Sequence, residues 1–312
     1  METEHFDIFR QVIAFSTADS WSRAPHVAYG WEGDATALLA WREGRRIGDG
    51  QGLPLKITLN TILMFMVAKG LEAAPKLNAH LDYRTFSTTG RLAPLPHVDM
   101  TIPWLLPDGR VISVVLPRVE ERDLAGLQLA MNDLGRRIAA SDLEEVLKVT
   151  ALKDTWRRVL AGNGHGFRRA ASALLGLNRP RLLSGAARRR YYAIPEAERL
   201  TSRDVDSGSV VVSNIGSLDK GLTGRFQLLD LIEPMVFAVG IGALQDAPRA
   251  VTRADGGKAV ESRPVIPFCL VFDHRALEFS ALLPFIARLE ELFARPEILE
   301  ASGTGGVVGG PA

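Results

Sequence analysis

Cysteine is almost missing from this chain: Cys269 is the single one in 312 residues. One thiol makes no disulfide within the chain and no cysteine-based metal cluster. Its place in the apolar run "PVIPFCLVF" fits a protein kept in a reducing cytoplasm. A dominant charge is missing too. Lys and Arg number 37 against 36 Asp and Glu, a net charge of +1 with His neutral, so no global field draws nucleic acid or acidic partners. Membrane-length apolar runs are lacking: "ITLNTILMFMVAKGL" is broken by Asn60 and Lys69 and is too short and polar to cross a bilayer. The opening "METEHFDIFRQVIAF" has no basic segment ahead of an apolar core, so no signal peptide is expected. No Gly-rich stretch ends in Gly-Lys-Ser/Thr, and "GIGA" at 240–243 lacks the third Gly of a dinucleotide fingerprint. His26, His80, His97 and His165 show no metal-ligand spacing, so no metal site is expected. Lys220, after Asp219, lacks the small-barrel surroundings of a lipoyl-bearing lysine, so no lipoyl attachment is expected on this chain.

What is present is ordinary globular material, nearly half hydrophobic and about a quarter charged. "DATALLAWREGRR" reads as an amphipathic helix capped by Asp34. "TLNTILMFMVAKGLEAAP" reads as a second helix, apolar around most of its circumference and ended by Pro75, which implies deep burial. "HVDMTIPWL" and "RVISVVLPRV" flank the turn "LPDG" as paired strands. "DLAGLQLAMNDLGRRIAAS" is a helix with its basic residues near the C-terminal end, as the dipole prefers. "GSVVVSNIGS", "MVFAVGIGA" and "VIPFCLVFDH" are buried strands, and "EFSALLPFIARLEELFARPEIL" is a long amphipathic helix stopped near Pro296. Mixed strands and helices with hairpin-like turns indicate an α+β layered fold with a mixed or antiparallel sheet.

Between Lys153 and Arg199 basic residues outnumber acidic ones by 11 to 3. Two short helical patterns separated by Gly and Pro are expected there. Such a stretch can contact a membrane surface or a polyanion. The simpler reading is a solvated helical pair or a subunit contact. Residues 301–312, "ASGTGGVVGGPA", read as a flexible Gly-rich tail.

Two stretches carry groups suited to chemistry. In "VFDHRALEFS", His274 ends a buried strand between Asp273 and Arg275, where an imidazole can be held in one tautomer as a general base. A core or surface histidine would read the same way. In "VVVSNIGS", Ser213 and Asn214 follow a β-branched strand, where hydroxyl and amide donors can face an oxyanion. Ser, Asn and Gly216 are also ordinary turn residues.

Taken in order, these stretches resemble the catalytic domain of the dihydrolipoamide acyltransferases of 2-oxo-acid dehydrogenase complexes. "RQVIA" and "APHVAYGWEGDATALLAWRE" are similar to the family's opening helix and its Pro-His-Val strand with the helix that follows. "KITLNTILMFMVAKGLEAAPKLNA" resembles Leu-Thr-x-Asn, a buried helix and Pro-x-Leu-Asn-Ala. "LPDGRVISVV" matches the Pro-Asp-Gly turn, "VVVSNIGS" the Thr-Ile-Ser-Asn-Leu-Gly run, "FAVGIG" the Ala-Ile-Leu-Gly-Val-Gly run, and "VFDHRALE" the Ser-x-Asp-His-Arg-Val-Ile-Asp run.

The resemblance implies a two-layer α/β sandwich with a mixed β-sheet, the chloramphenicol acetyltransferase-like fold, over residues 1–300. Residues 143–205 would be a basic helical insertion. It also implies a CoA-dependent acyltransferase, with acyl-coenzyme A as substrate and a thiol, hydroxyl or amine acceptor. By resemblance His274 is the general base, Ser213 the oxyanion donor and Glu278 an orienting carboxylate. Asn214, Gly216 and Phe279 are candidate substrate-binding residues. In the family the base and the hydroxyl meet across a subunit boundary, so a homotrimer or larger assembly is expected, with a lipoyl-bearing or other acceptor protein as partner. The resemblance starts near Phe6, so no lipoyl or subunit-binding domain is expected ahead of it.

One departure stands out. The family's His-x-x-x-Asp-Gly becomes His274 with Glu278 and Phe279, which adds a methylene and then a ring where the family keeps none. It leaves open a second reading, a weakened or inactive relative that serves as a trimeric scaffold or interaction protein.

Overall fold

The computed structural model describes residues 6, 8–43, 47–48, 54–84, 87–160, 182–206, 208–218, 221–253 and 255–301. The chain opens with α1 (Ile8–Arg23), β1 (His26–Asp34) and α2 (Thr36–Glu43). Asp34 caps α2 by accepting from the Thr36 backbone N–H at 2.9 Å. A short pair, β2 (Ile47–Gly48) and β3 (Pro54–Leu55), leads to α3 (Leu59–Ala73). Thr58 caps α3 through its hydroxyl to the Thr61 N–H, 3.1 Å, and every residue from Thr61 to Leu71 is buried, as its all-round apolar pattern requires. A hairpin, β4 (Ala79–Arg84) with β5 (Thr89–Pro94), precedes β6 (Met100–Leu105), β7 (Val111–Leu116) and α4 (Leu124–Ala139).

The basic stretch contributes α5 (Leu143–Leu160) and α6 (Gly185–Tyr192). Of the two short helical patterns expected there, the part at 161–181 lies outside the described residues, as do Lys220 and the tail 302–312. The chain closes with β8 (Val210–Asn214), β9 (Phe237–Ile241), β10 (Gln245–Thr252), β11 (Lys258–Asp273), α7 (Leu283–Ala294) and α8 (Ile298–Ala301). The final amphipathic helix begins later than its sequence pattern suggests. Phe279–Leu282 form a 3-10 turn, and Pro284, in the first helical turn, sets the start of α7.

Among the described residues the main sheet has seven strands in the order β1-β11-β9-β8-β6-β7, with β10 also on β11. It is mixed: β6–β8 and β8–β9 are parallel, while β1–β11, β9–β11 and β6–β7 are antiparallel. Alternation decides what each face meets. Val210 and Val212 join Phe268, Leu270 and Phe272 in the large core beneath α3, α4 and α7. Val211 joins Ala238, Cys269 and Val271 in a smaller cluster on the opposite face, covered by Phe226, Leu228, Leu229 and Ile232. The helices α3, α4 and α7 therefore layer one face, and the 226–232 segment packs on the other. The result is the two-layer α+β sandwich expected from the sequence.

The α3–α7 contact is the tightest helix pairing of that layer. A methyl added at Gly70 would sit 2.6 Å from the ring of Phe285, which is fully buried. Helix propensity would favour Ala by about 1 kcal/mol, whereas forcing extra volume into a closed core costs about 1–3 kcal/mol. The ring has nowhere to retreat. Gly70→Ala is expected to lower stability by about 1 kcal/mol in urea denaturation, and an unchanged or raised midpoint would contradict this packing.

Candidate active site

The end of β11 is built around a buried carboxylate. Asp273 is 1% exposed, and its carbonyl accepts the N–H groups of Ala276 and Leu277, each at 3.0 Å, which closes the turn. Arg275 folds back on it. Its Nε donates to Asp273 Oδ1 at 3.0 Å and its Nη2 to Oδ2 at 2.6 Å, while Nη2 also reaches Glu233 at 2.7 Å. The guanidinium lies 5.1 Å from the centroid of the Tyr83 ring. Burial alone would lower its pKa, but the bonds to Asp273 and Glu233 outweigh that and raise it above the ordinary value. Arg275 is a permanent cation.

With both neighbours turned inward, His274 is left facing out. Its backbone N–H donates to the Pro25 carbonyl at 3.1 Å, and its ring stands edge-on to Phe272, centroids 5.7 Å apart. The side chain is 46% exposed. Nδ1 lies 3.0 Å from the Leu277 carbonyl oxygen, and a carbonyl can only accept, so Nδ1 carries the proton and Nε2 keeps its lone pair. The Leu277 side chain is buried in the core, which fixes that carbonyl. Glu278 is 3.9 Å from Nδ1 and 79% exposed, beyond hydrogen-bond reach. The tautomer is therefore held by the Leu277 main chain, and Glu278 offers a nearby charge. Phe279, 42% exposed, meets Tyr29 edge to face with centroids 5.0 Å apart. Its φ is not among the positive ones of the described residues, so the backbone here does not demand glycine.

Ser213 lies near the end of β8, and alternation sends it to the thinly covered face with Val211. It is half-buried, and among the described residues its hydroxyl makes no hydrogen bond. Asn214 points to the helix side, where its Nδ2 donates to Asn60 Oδ1 at 2.8 Å. Its own Oδ1 is buried without a partner. Gly216 serves close packing: a Cβ there would lie 2.6 Å from the Ala243 Cα and 2.7 Å from the Gly242 oxygen.

The structure does not bring Ser213 and His274 together within one chain. Ser213 stands opposite Gly240 and Gly240 opposite Cys269, while His274 lies past the far end of β11. At strand spacing their backbones are about 16 Å apart along the strands and about 10 Å across them. Two side chains cannot close that gap.

The other candidate groups are occupied. His26 bonds Ala24 O at 2.7 Å and accepts the Leu231 N–H at 2.8 Å, stacked on Trp21. His80 contacts the Gly208 carbonyl at 2.8 Å. His97, Glu120 and Glu121 come together with potential ligand atoms within 4.8 Å of one another, a grouping that sequence spacing did not reveal. Both ring nitrogens of His97 are engaged, Nδ1 by Glu120 at 2.9 Å and Nε2 by Arg118 at 3.0 Å. The Arg118 guanidinium supplies the positive charge in that cluster. His165 lies outside the described residues. Burial raises the Cys269 thiol pKa, which makes it an inert packing group.

A proton-fixed imidazole with a free nitrogen and an unpartnered serine hydroxyl on a mixed-sheet α+β domain are the groups of an acyl-transfer enzyme. The model of the family described as 2-oxoacid dehydrogenases acyltransferase (catalytic domain) matches residues 1–147 and 187–300, and the chain belongs to that family. It is accordingly a CoA-dependent acyltransferase domain with the chloramphenicol acetyltransferase-like fold. The unmatched residues 148–186 fall inside the stretch read as an insertion. Among solved structures, the chain is similar to the cubic core of the pyruvate dehydrogenase multienzyme complex, at 20% identity and TM-score 0.63 over 96% of this chain and 93% of that one. It is also similar to a probable dihydrolipoamide acetyltransferase from Listeria monocytogenes, at 16% and 0.61 over 98% of each chain. A third is the dihydrolipoamide acetyltransferase of Azotobacter vinelandii, studied for the roles of a serine, a histidine and an asparagine in its mechanism, at 19% and 0.61 over 96% and 93%. These likenesses establish the fold. No curated protein sequence matches the chain.

The Asp273–Arg275 pair gives a direct test of how the His274 turn is held. Arg275→Met would leave a carboxylate at 1% exposure without its cation, at a cost of about 3–5 kcal/mol. Urea denaturation is expected to show that loss, and a loss under 1 kcal/mol would mean that the turn does not depend on the pair.

Proposed function

We propose that two copies of this chain build each active site, one giving His274 and the other Ser213, and that an acyl group passes there between coenzyme A and an acceptor thiol, hydroxyl or amine. The observation that carries this reading is the wide separation, on one sheet, of the Ser213 hydroxyl and the His274 Nε2, neither of which makes a hydrogen bond among the described residues. A trimer or larger closed assembly supplies the second copy; the similar pyruvate dehydrogenase core is described as cubic.

A thiol is mostly protonated at neutral pH. His274 Nε2 takes that proton as the sulfur bonds to the thioester carbonyl carbon. The carbonyl oxygen becomes an oxyanion facing the Ser213 hydroxyl. Collapse re-forms the carbonyl, breaks the original carbon–sulfur bond, and the leaving sulfur recovers the proton from the imidazolium. Glu278 faces that transient cation as the orienting carboxylate. The Azotobacter enzyme's asparagine stands four residues beyond its histidine, the same spacing as Glu278 from His274. Asn214 and Gly216 shape the serine end of the site, and Phe279 with Tyr29 forms a wall beside the base that narrows the acceptor side. The acceptor partner is a lipoyl-bearing protein or another acceptor protein. A reducing compartment, the cytoplasm, suits a chain whose thiol Cys269 is buried and unpaired.

His274→Ala is expected to lower kcat about 10³-fold, and Ser213→Ala about 10²- to 10³-fold, in acyl-CoA turnover with dihydrolipoamide or a small thiol. Unfolding both variants together and refolding them should restore part of the activity, because mixed assemblies regain sites with one intact copy of each group. No recovery, with assembly intact, would sink the shared site. No acyl-CoA turnover by the wild type over a broad acceptor panel would favour the scaffold reading. Phe279→Gly should admit bulkier acceptors, seen as a lower KM for dihydrolipoamide with little change in kcat for a small thiol. An unchanged KM would remove Phe279 from the acceptor path.

A further inference from the structure

We infer that Asn60 is a positioning residue for catalysis, acting through Asn214 to set the Ser213 hydroxyl; this rests on the role proposed for Ser213. The strand pairing explains why a tether is needed. β9 pairs with β8 as far as Asn214, whereas β6 pairs with β8 only at Val210 and Val211. Among the described residues, Val212, Ser213 and Asn214 are therefore paired on one side alone. The Asn214 Nδ2 to Asn60 Oδ1 bond, 2.8 Å across 154 residues of chain, supplies a hold from the helix layer.

Asn60 is well placed to be that anchor. It lies in the first turn of α3, whose start is fixed by the Thr58 cap and by Gln128. The Gln128 Oε1 accepts from the Thr58 N–H at 3.0 Å and from the Thr61 hydroxyl at 2.7 Å. Beyond that turn α3 is buried through Leu71. Alternation then does the rest: with Asn214 pinned toward the helices, Ser213 must face the other side of the sheet. Downstream, the Ser217 hydroxyl donates to the Asn214 carbonyl at 2.7 Å, and Gly216 lies against Gly242 and Ala243. The buried, unpartnered Asn214 Oδ1 fits the same reading, because a side chain selected only for stability would be expected to satisfy that atom.

The test uses the full-length assembled protein. Asn60→Ala removes the acceptor, whereas Asn60→Asp keeps an oxygen that can accept from Asn214. A misplaced group costs about 10- to 100-fold in rate. Asn60→Ala should lose that much kcat with KM for acyl-CoA within about twofold, and Asn60→Asp should retain most of the rate. In a Ser213→Ala background, Asn60→Ala should add little further loss, because the hydroxyl it positions is gone. Hydrogen exchange of the 210–217 segment should quicken in Asn60→Ala but not in Asn60→Asp, and that readout needs no turnover. If exchange there is unchanged in Asn60→Ala, the tether is absent and the inference fails whatever the chemistry. Faster exchange with full kcat would overturn the catalytic part alone, and an inactive wild type would count against the acyl-transfer reading instead.

Discussion

The Asp273–Arg275 pair is the contact on which the site depends. A buried ion pair of this kind adds little net stability, because desolvation offsets its attraction. What it fixes is direction. Asp273 ends β11, the strand that pairs with β1, β9 and β10, so the pair ties the turn to an interior strand of the sheet. With Asp273 and Arg275 folded onto each other, the residue between them has no inward place. His274 is pushed out, and the turn that the pair closes delivers the Leu277 carbonyl to its Nδ1.

The second constraint is that α3, α4 and α7 cover one face of the sheet and the 226–232 segment packs on the other. On β8 this divides the work between adjacent residues. The Asn214 side chain is bonded to the helical layer, while Ser213 looks out on the face that the 226–232 segment packs against. A face so thinly covered suits contact with another molecule. The separation of Ser213 from His274 along the sheet gives the same indication from a different direction.

Much of this was legible in the residues. The α3 pattern gave its burial, the Pro-Asp-Gly turn gave the β6–β7 hairpin, and Asp-His-Arg marked the end of β11. β10 and the first half of β11 were not read, and the reason is physical. The inward-facing positions of β10 are Gln245, Ala247, Arg249 and Val251, and Arg249 is inward because it pairs with Glu32 on β1. That alternation is polar, so hydrophobic periodicity misses it. The Asn60–Asn214 bond joins residues 154 apart, and His97 meets Glu120 and Glu121 only through the fold. Neither leaves a local signal. The Leu277 carbonyl at His274 Nδ1 left no signal for a related reason: a main-chain carbonyl has no letter of its own.

That last point bears on the Glu278–Phe279 departure. Had the His274 ring depended on the carboxylate four residues on, a longer side chain there would have put its tautomer at risk. The bond is made by Leu277, anchored by its buried side chain, and any residue at 278 leaves it in place. Nor does the backbone at 279 use a conformation that glycine alone favours, so the ring enters without backbone strain. The change from the family pattern therefore falls on the surroundings of His274. A charge faces Nδ1 at 3.9 Å, and an aromatic wall stands on Tyr29. The contact that fixes the His274 ring is kept, and the alteration is in what can approach that ring.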